Sequence, residues 1–213
     1  MNVSAPILDV VPGARGQILR VLCQSSGGIS GREVARRAGV SVSTAISALA
    51  DLAQAGIVTQ DPFAHATSYQ LNRTHLVAQL IIEVAGAIGE LTTKIRARVD
   101  DWTIKPVAAW MYGSTARGDG DRASDIDLLF VLPDGLTGEE RDRWEEHQVS
   151  PLLVAVYDMT GNQASYLPHT VDTFLALEAR QSEFSKNLHC DGIDLLADGS
   201  SWRRISQARR TSL

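Results

Sequence analysis

The chain has 213 residues, 20 Lys and Arg against 25 Asp and Glu, a formal net charge of −5, 44% hydrophobic residues and two cysteines. That length holds one large domain or two small ones with a real core, and the ordinary hydrophobic fraction excludes wholesale disorder. So acidic a chain is no general nucleic-acid coat, and Cys23 and Cys190 make neither a disulfide framework nor a zinc site, so a reducing cytoplasm is the expected compartment. The start, Met1 to Gly13, lacks a basic segment followed by a long apolar run, and no signal peptide is expected. Charge is unevenly spread: residues 1–73 carry six Arg against four acids, net +2, and the remainder carries −7. Two modules with different partners are the expected organisation.

The first module, residues 1–73, reads as three helices and a hairpin. Ile18, Leu19 and Leu22 make one apolar stripe. Ser30 is a predicted N-cap with Glu33 as its capping-box partner, and Gly39 ends that helix because glycine accepts the left-handed conformation. Ser41 caps the next helix, whose Ala45, Ile46, Leu49, Leu52 and Ala53 keep a helical period until Gly56. Ile57–Thr59 and Ser68–Leu71 alternate like two strands joined through Asp61 to His65.

Helix, short turn, helix and a two-stranded wing resembles the winged helix-turn-helix of bacterial transcription regulators, with Arg32 to Val58 carrying the likeness. The resemblance implies DNA as a partner. The would-be recognition helix, Val42 to Ala55, has no Lys or Arg, so phosphate contacts fall to Arg32, Arg36 and Arg37, and base reading to hydroxyls such as Ser43 and Thr44. The alternative is a winged helix used for packing or dimerisation.

Residues 74–102 read as one long connecting helix. Val77, Ile81, Val84, Ile88, Leu91 and Ile95 recur at spacings of four and three. Packing onto a domain is the first reading, and a homodimer seam the second. The apolar stretch Leu76–Leu91 is interrupted by Gln79, Glu83 and Glu90 and is too short and polar to span a bilayer, so no membrane partner is expected.

The chemistry lies in residues 103–213. A buried strand, Pro106 to Tyr112, runs into Gly113-Ser114-Thr115-Ala116-Arg117-Gly118-Asp119, and after a short loop come Ser124-Asp125-Ile126-Asp127 and the apolar run Leu128–Leu132. A strand ending in Gly-Ser and opening a helix offers backbone N–H groups and a hydroxyl to an anion. Asp125 and Asp127, one residue apart on a strand, point to the same face. Two neighbouring carboxylates repel unless a cation lies between them, and magnesium favours carboxylate and phosphate oxygens. Such a site suits a metal–triphosphate.

This combination resembles the DNA polymerase beta-like nucleotidyltransferases, the minimal bacterial and archaeal ones in particular, over roughly residues 103–197. The resemblance implies that Gly113 and Ser114 hold the terminal phosphates of a nucleoside triphosphate such as ATP, that Arg117 lies near phosphate, and that Asp125 and Asp127 bind metal. Arg117 is equally a candidate salt-bridge partner of Asp119 or Asp121. The implied reaction passes a nucleoside monophosphate to an acceptor hydroxyl on a protein, an RNA end or a small molecule. A toxin–antitoxin or regulatory setting fits it. Active relatives hold a third carboxylate on a later strand. The predicted strand is Leu152–Asp158, with Ala155 at the aligned position; Asp158, its only acid, lies on the opposite face and joins the catalytic set only if a bulge intervenes. Two magnesium ions are expected if a third carboxylate is present, and one otherwise. The rival is a DNA-binding regulator whose degenerate domain senses nucleotide.

The remainder is predicted as a charged helix over Glu139–His147, a helical stripe within Pro168–Gln181, a last strand in Asp191–Leu196 with Asp194 as a surface acid, and a basic, frayed tail. The fold class expected is α+β: an N-terminal winged helix, a connecting long helix and a C-terminal mixed-sheet nucleotidyltransferase fold.

Overall fold

The structure, a computed structural model, describes residues 1–63 and 66–211. The chain divides into two compact units, one of Asn2 and Ser4–Ala87, the other of Met1, Val3 and Ile88–Leu213.

The first unit runs α1 (Ile7–Val10), α2 (Gly13–Gln24), β1 (Ile29–Ser30), α3 (Gly31–Ala38), α4 (Val42–Gln54), β2 (Val58–Phe63), β3 (Ala66–Leu71) and α5 (Ala78–Ala85). Its N-caps and the Gly39 stop form where predicted. The Ser30 hydroxyl accepts the Glu33 N–H, Ser41 accepts that of Thr44, and Gly39 turns left-handed at φ 66°. Ile18, Leu22, Val34, Ala45 and Leu49 close the core between α2, α3 and α4. The wing is antiparallel in order β1-β3-β2, and β1 is a pairing that the sequence reading does not contain. Pro62 is tolerated because β2 is an edge strand. Ala64 and His65 of the predicted hairpin turn lie outside the described residues.

The single long helix over 74–102 is corrected to two. Helix α5 ends at Gly86 and α6 (Ala87–Asp100) follows. The apolar stripe is shared between two cores: Ile81 and Val84 pack into the first unit, and Ile88, Leu91 and Ile95 into the second.

The second unit continues with β4 (Ala108–Tyr112), α7 (Gly113–Arg117), β5 (Ile126–Leu132), α8 (Gly138–Trp144), a π-helical turn Glu145–Val149 and α9 (Ser150–Thr160). Then come β6 (Ala164–Thr170), α10 (Val171–Ala179), α11 (Glu183–Asp191), β7 (Ile193–Asp194) and α12 (Ser201–Thr211). The sheet is mixed, in order β6-β5-β4-β7, with β5 and β6 parallel and the other pairs antiparallel. Alternation along β5 sends Ile126, Leu128, Phe130 and Leu132 against α6 and α9, and Leu129 and Val131 against Phe174, Leu188 and Ile205 of α10, α11 and α12.

Four expectations are corrected here. Leu152–Asp158 is helix, not strand: Leu152, Val156 and Thr160 are its buried side chains, at the four-residue spacing of one helix face. Pro168 lies in edge strand β6 rather than in the following helix. The basic tail is the ordered helix α12, anchored by buried Ile205. Asp194 is also no idle surface acid. It accepts hydrogen bonds from the Leu196 and Ser201 N–H groups and the Ser201 hydroxyl, tying β7 to the start of α12.

Candidate functional site

Three strands place one row of side chains across the sheet: Tyr112 on β4, Asp127 on β5 and Ser165 on β6 are direct neighbours in register. Asp125, just before β5, shares the parity of Asp127. Gly113 leaves β4 at φ 73°, and a Cβ there would meet Asp127 Oδ2. Glycine is favoured by its dihedral, and a side chain at this position would push the Asp127 carboxylate aside. Helix α7 has only five residues, so any anion held there would rest on individual N–H groups and the Ser114 hydroxyl more than on a helix dipole. Burial, and then the neighbouring Asp127 charge, push the Tyr112 phenol above its usual range.

The loop leading to Asp125 is fastened from both sides. The Asp121 carboxylate accepts the Ala123 N–H and the Ser124 hydroxyl, which hold its pKa down. Ser124 thus supports the turn before Asp125. Thr115, buried in α7, donates to the Asp125 carbonyl. Asn162, 3% exposed, donates through Nδ2 to the Arg122 and Ser124 carbonyls, and its Oδ1 accepts the Met1 amine. Nothing in the sequence marks Asn162, because its partners are backbone carbonyls some 40 positions away. Arg117 makes the salt bridge anticipated with Asp119, at 3.1 Å.

The strand beside Asp127 is β6, and the residue facing Asp127 there is Ser165, whose hydroxyl donates to Asp127 Oδ1 at 2.8 Å. Asp158 and Ala155, the sequence candidates for a third metal ligand, both lie on helix α9, with Asp158 exposed. No group of three or more His, Cys, Asp or Glu side chains among the described residues could hold a metal ion. Asp125 and Asp127 are the carboxylates here that could hold a magnesium ion together with phosphate and water oxygens, and Ser165 stands where a further carboxylate would face Asp127.

In the first unit, Arg36 and Arg37 are both committed to Glu33, at 2.6 Å each. The two guanidiniums hold the Glu33 carboxyl down to about 2. Glu33 thus completes an ion cluster instead of the predicted capping box. Arg32 is exposed and makes no ion pair among the described residues. The Ser43 and Thr44 hydroxyls lie within hydrogen-bond reach of the Ser41 cap, at 2.9 and 2.7 Å. The exposed face of α4 presents Val42 and Ile46 beside these hydroxyls.

Residues 92–184 match the family model of the nucleotidyltransferase domain, and residues 16–62 match that of the IclR helix-turn-helix domain. The chain joins a helix-turn-helix domain to a nucleotidyltransferase domain. No curated protein matches it. The nucleotidyltransferase domain supports nucleotidyl transfer, and the helix-turn-helix domain supports DNA binding. Gly113, Asp125, Asp127 and Ser165 all fall inside the nucleotidyltransferase match, and Arg32 to Thr44 inside the other. Among the described residues no helix is long and apolar enough to cross a membrane.

Proposed function

We propose that the nucleotidyltransferase domain binds a magnesium–nucleoside triphosphate at Gly113, Ser114, Asp125 and Asp127 and passes the nucleoside monophosphate to an acceptor hydroxyl. The observation that carries this is the fit of Gly113 against Asp127. A backbone that no side chain can crowd adjoins a carboxylate on the row it shares with Tyr112 and Ser165. The acceptor oxygen bonds the α-phosphorus, the bond to the β-phosphate oxygen breaks, pyrophosphate leaves and the hydroxyl proton passes to solvent. Magnesium, when bound, neutralises phosphate charge and lowers the acceptor pKa. The chain's own part is to cradle phosphate at the Gly113 turn and to hold Asp125 in place through Thr115, Asp121 and Asn162. Replacing Asp125 and Asp127 together by Ala is expected to abolish magnesium-dependent nucleotide affinity, measured by calorimetry, with an unchanged circular-dichroism spectrum. Unchanged affinity sinks the reading. Labelled triphosphates in a lysate identify the acceptor as protein, RNA or small molecule.

A second reading is favoured by Ser165. With a hydroxyl where a carboxylate would face Asp127, the domain binds nucleotide but transfers slowly, and the helix-turn-helix, with Arg32 on phosphate and Arg36 and Arg37 held by Glu33, reports nucleotide binding to DNA. Nucleotide-dependent DNA affinity without label transfer selects this reading.

A further inference from the structure

On the sheet face that carries Tyr112 and Asp127, helix α11 and the Gly113 turn enclose a cleft of about 190 Å³. Its wall is aromatic and apolar: Tyr112 and Phe184 meet edge to face at 5.3 Å, and Leu188 is buried beneath. Its polar groups include, besides the Tyr112 phenol and Arg117, the Asn187 amide and the Asp191 carboxylate. Neither has a hydrogen-bond partner among the described residues. The cleft's cation, Arg117, is already held by Asp119. Phe184, Asn187 and Asp191 lie at or beyond the end of the family match, on a helix that the motif says nothing about.

We infer that this cleft takes the base of the triphosphate, and that the base is adenine. An aromatic wall offers stacking to any base. The free groups then select. A side-chain amide pairs its acceptor and donor with the 6-amino group and N7 of adenine, and a carboxylate accepts from an amino group. Guanine and hypoxanthine present a carbonyl oxygen at the same place, which a carboxylate repels and which finds no free guanidinium. The inference rests on the reading of Gly113, Asp125 and Asp127 as the triphosphate site, and the cleft's position against Gly113 joins the two.

The test is calorimetric titration of the full chain, with magnesium, by ATP, by ITP (the same nucleotide with the amino group replaced by a carbonyl) and by inorganic tripolyphosphate. ATP is expected to bind about tenfold more tightly than ITP, the usual worth of one bidentate base contact, with tripolyphosphate weaker than both. Asn187→Ala, at an exposed position, is expected to bring the ATP:ITP ratio close to one. Phe184→Ala is expected to weaken ATP and ITP alike and leave tripolyphosphate unchanged. Equal affinity for ATP and tripolyphosphate overturns the base site while leaving the phosphate site standing. Preference for ITP, or an ATP:ITP ratio untouched by Asn187→Ala, overturns the assignment of adenine to these residues. Failure of all three ligands to bind overturns the triphosphate reading, and this inference with it.

Discussion

Glu33 sets how much positive charge the helix-turn-helix offers to DNA. With Arg36 and Arg37 both within 2.6 Å of its carboxylate, only Arg32 is left without an ionic partner among the three. Glu33→Gln is expected to raise DNA affinity and to steepen the dependence of log affinity on log salt from a slope of about −1 to about −3. Fluorescence anisotropy across a potassium chloride series measures this, and an unchanged slope would move the phosphate contacts elsewhere. The clamp resists acid. A folded pKa lowered to about 2 keeps its contribution fully present above the ordinary glutamate range, and that contribution is lost progressively as the pH falls from there to about 2. Asn162 acts in the other unit. Asn162→Ala leaves the Arg122 and Ser124 carbonyls without their donor, at an expected cost of about 1–3 kcal/mol in thermal unfolding, and loosens the loop before Asp125. Magnesium–nucleotide affinity is expected to fall with it, and wild-type affinity in a destabilised variant would show that Asn162 only supports the fold.

Strand β6, not the apolar run of Leu152–Asp158, is the neighbour of the Asp127 strand. The run becomes α9 because burial of Leu152, Val156 and Thr160 on one face of a helix covers the sheet that β5 and β6 form. The consequence is specific. Asp158→Asn, on the exposed side of α9, is expected to be silent in nucleotide binding and in transfer. Ser165→Asp, directly opposite Asp127, is expected to raise magnesium affinity several-fold and to increase transfer. Magnesium titration and label transfer, run on both variants, check the pair. A strong loss in Asp158→Asn with no gain in Ser165→Asp would restore the helix residue to the site.

Two cores divide the molecule, and each keeps its own share of the helical stripe. Leu49 is fully buried in the first and Ile95 in the second. Leu49→Ala and Ile95→Ala are each expected to cost about 2–5 kcal/mol, and each in its own unit. Hydrogen exchange resolved along the chain reads this as lost protection over residues 13–71 for the first and over 88–211 for the second. Equal loss in both units from either variant would show one cooperative body. The charge imbalance follows the same division, with the basic segment on the helix-turn-helix unit and the acidic excess on the nucleotidyltransferase unit.

The features legible in the sequence are those that act within a few positions. The Ser30 and Ser41 caps, the left-handed Gly39, the Gly113-Ser114 turn and the shared face of Asp125 and Asp127 each depend on dihedrals and spacings that neighbours alone decide. Even the Glu33 clamp lies at helical spacings of three and four, where charges meet. What the sequence left open depended on partners far along the chain. An apolar run of seven residues suits a strand or a buried helix, and only the surface waiting for Leu152 and Val156 chose between them. A continuous stripe from Val77 to Ile95 suits one helix, and only the existence of two cores broke it at Gly86. Ser165 faces Asp127 through parallel register, a relation between strands 38 positions apart that no local pattern encodes. Backbone pairing between β5 and β6 set that register, and with it which side chain stands beside Asp127.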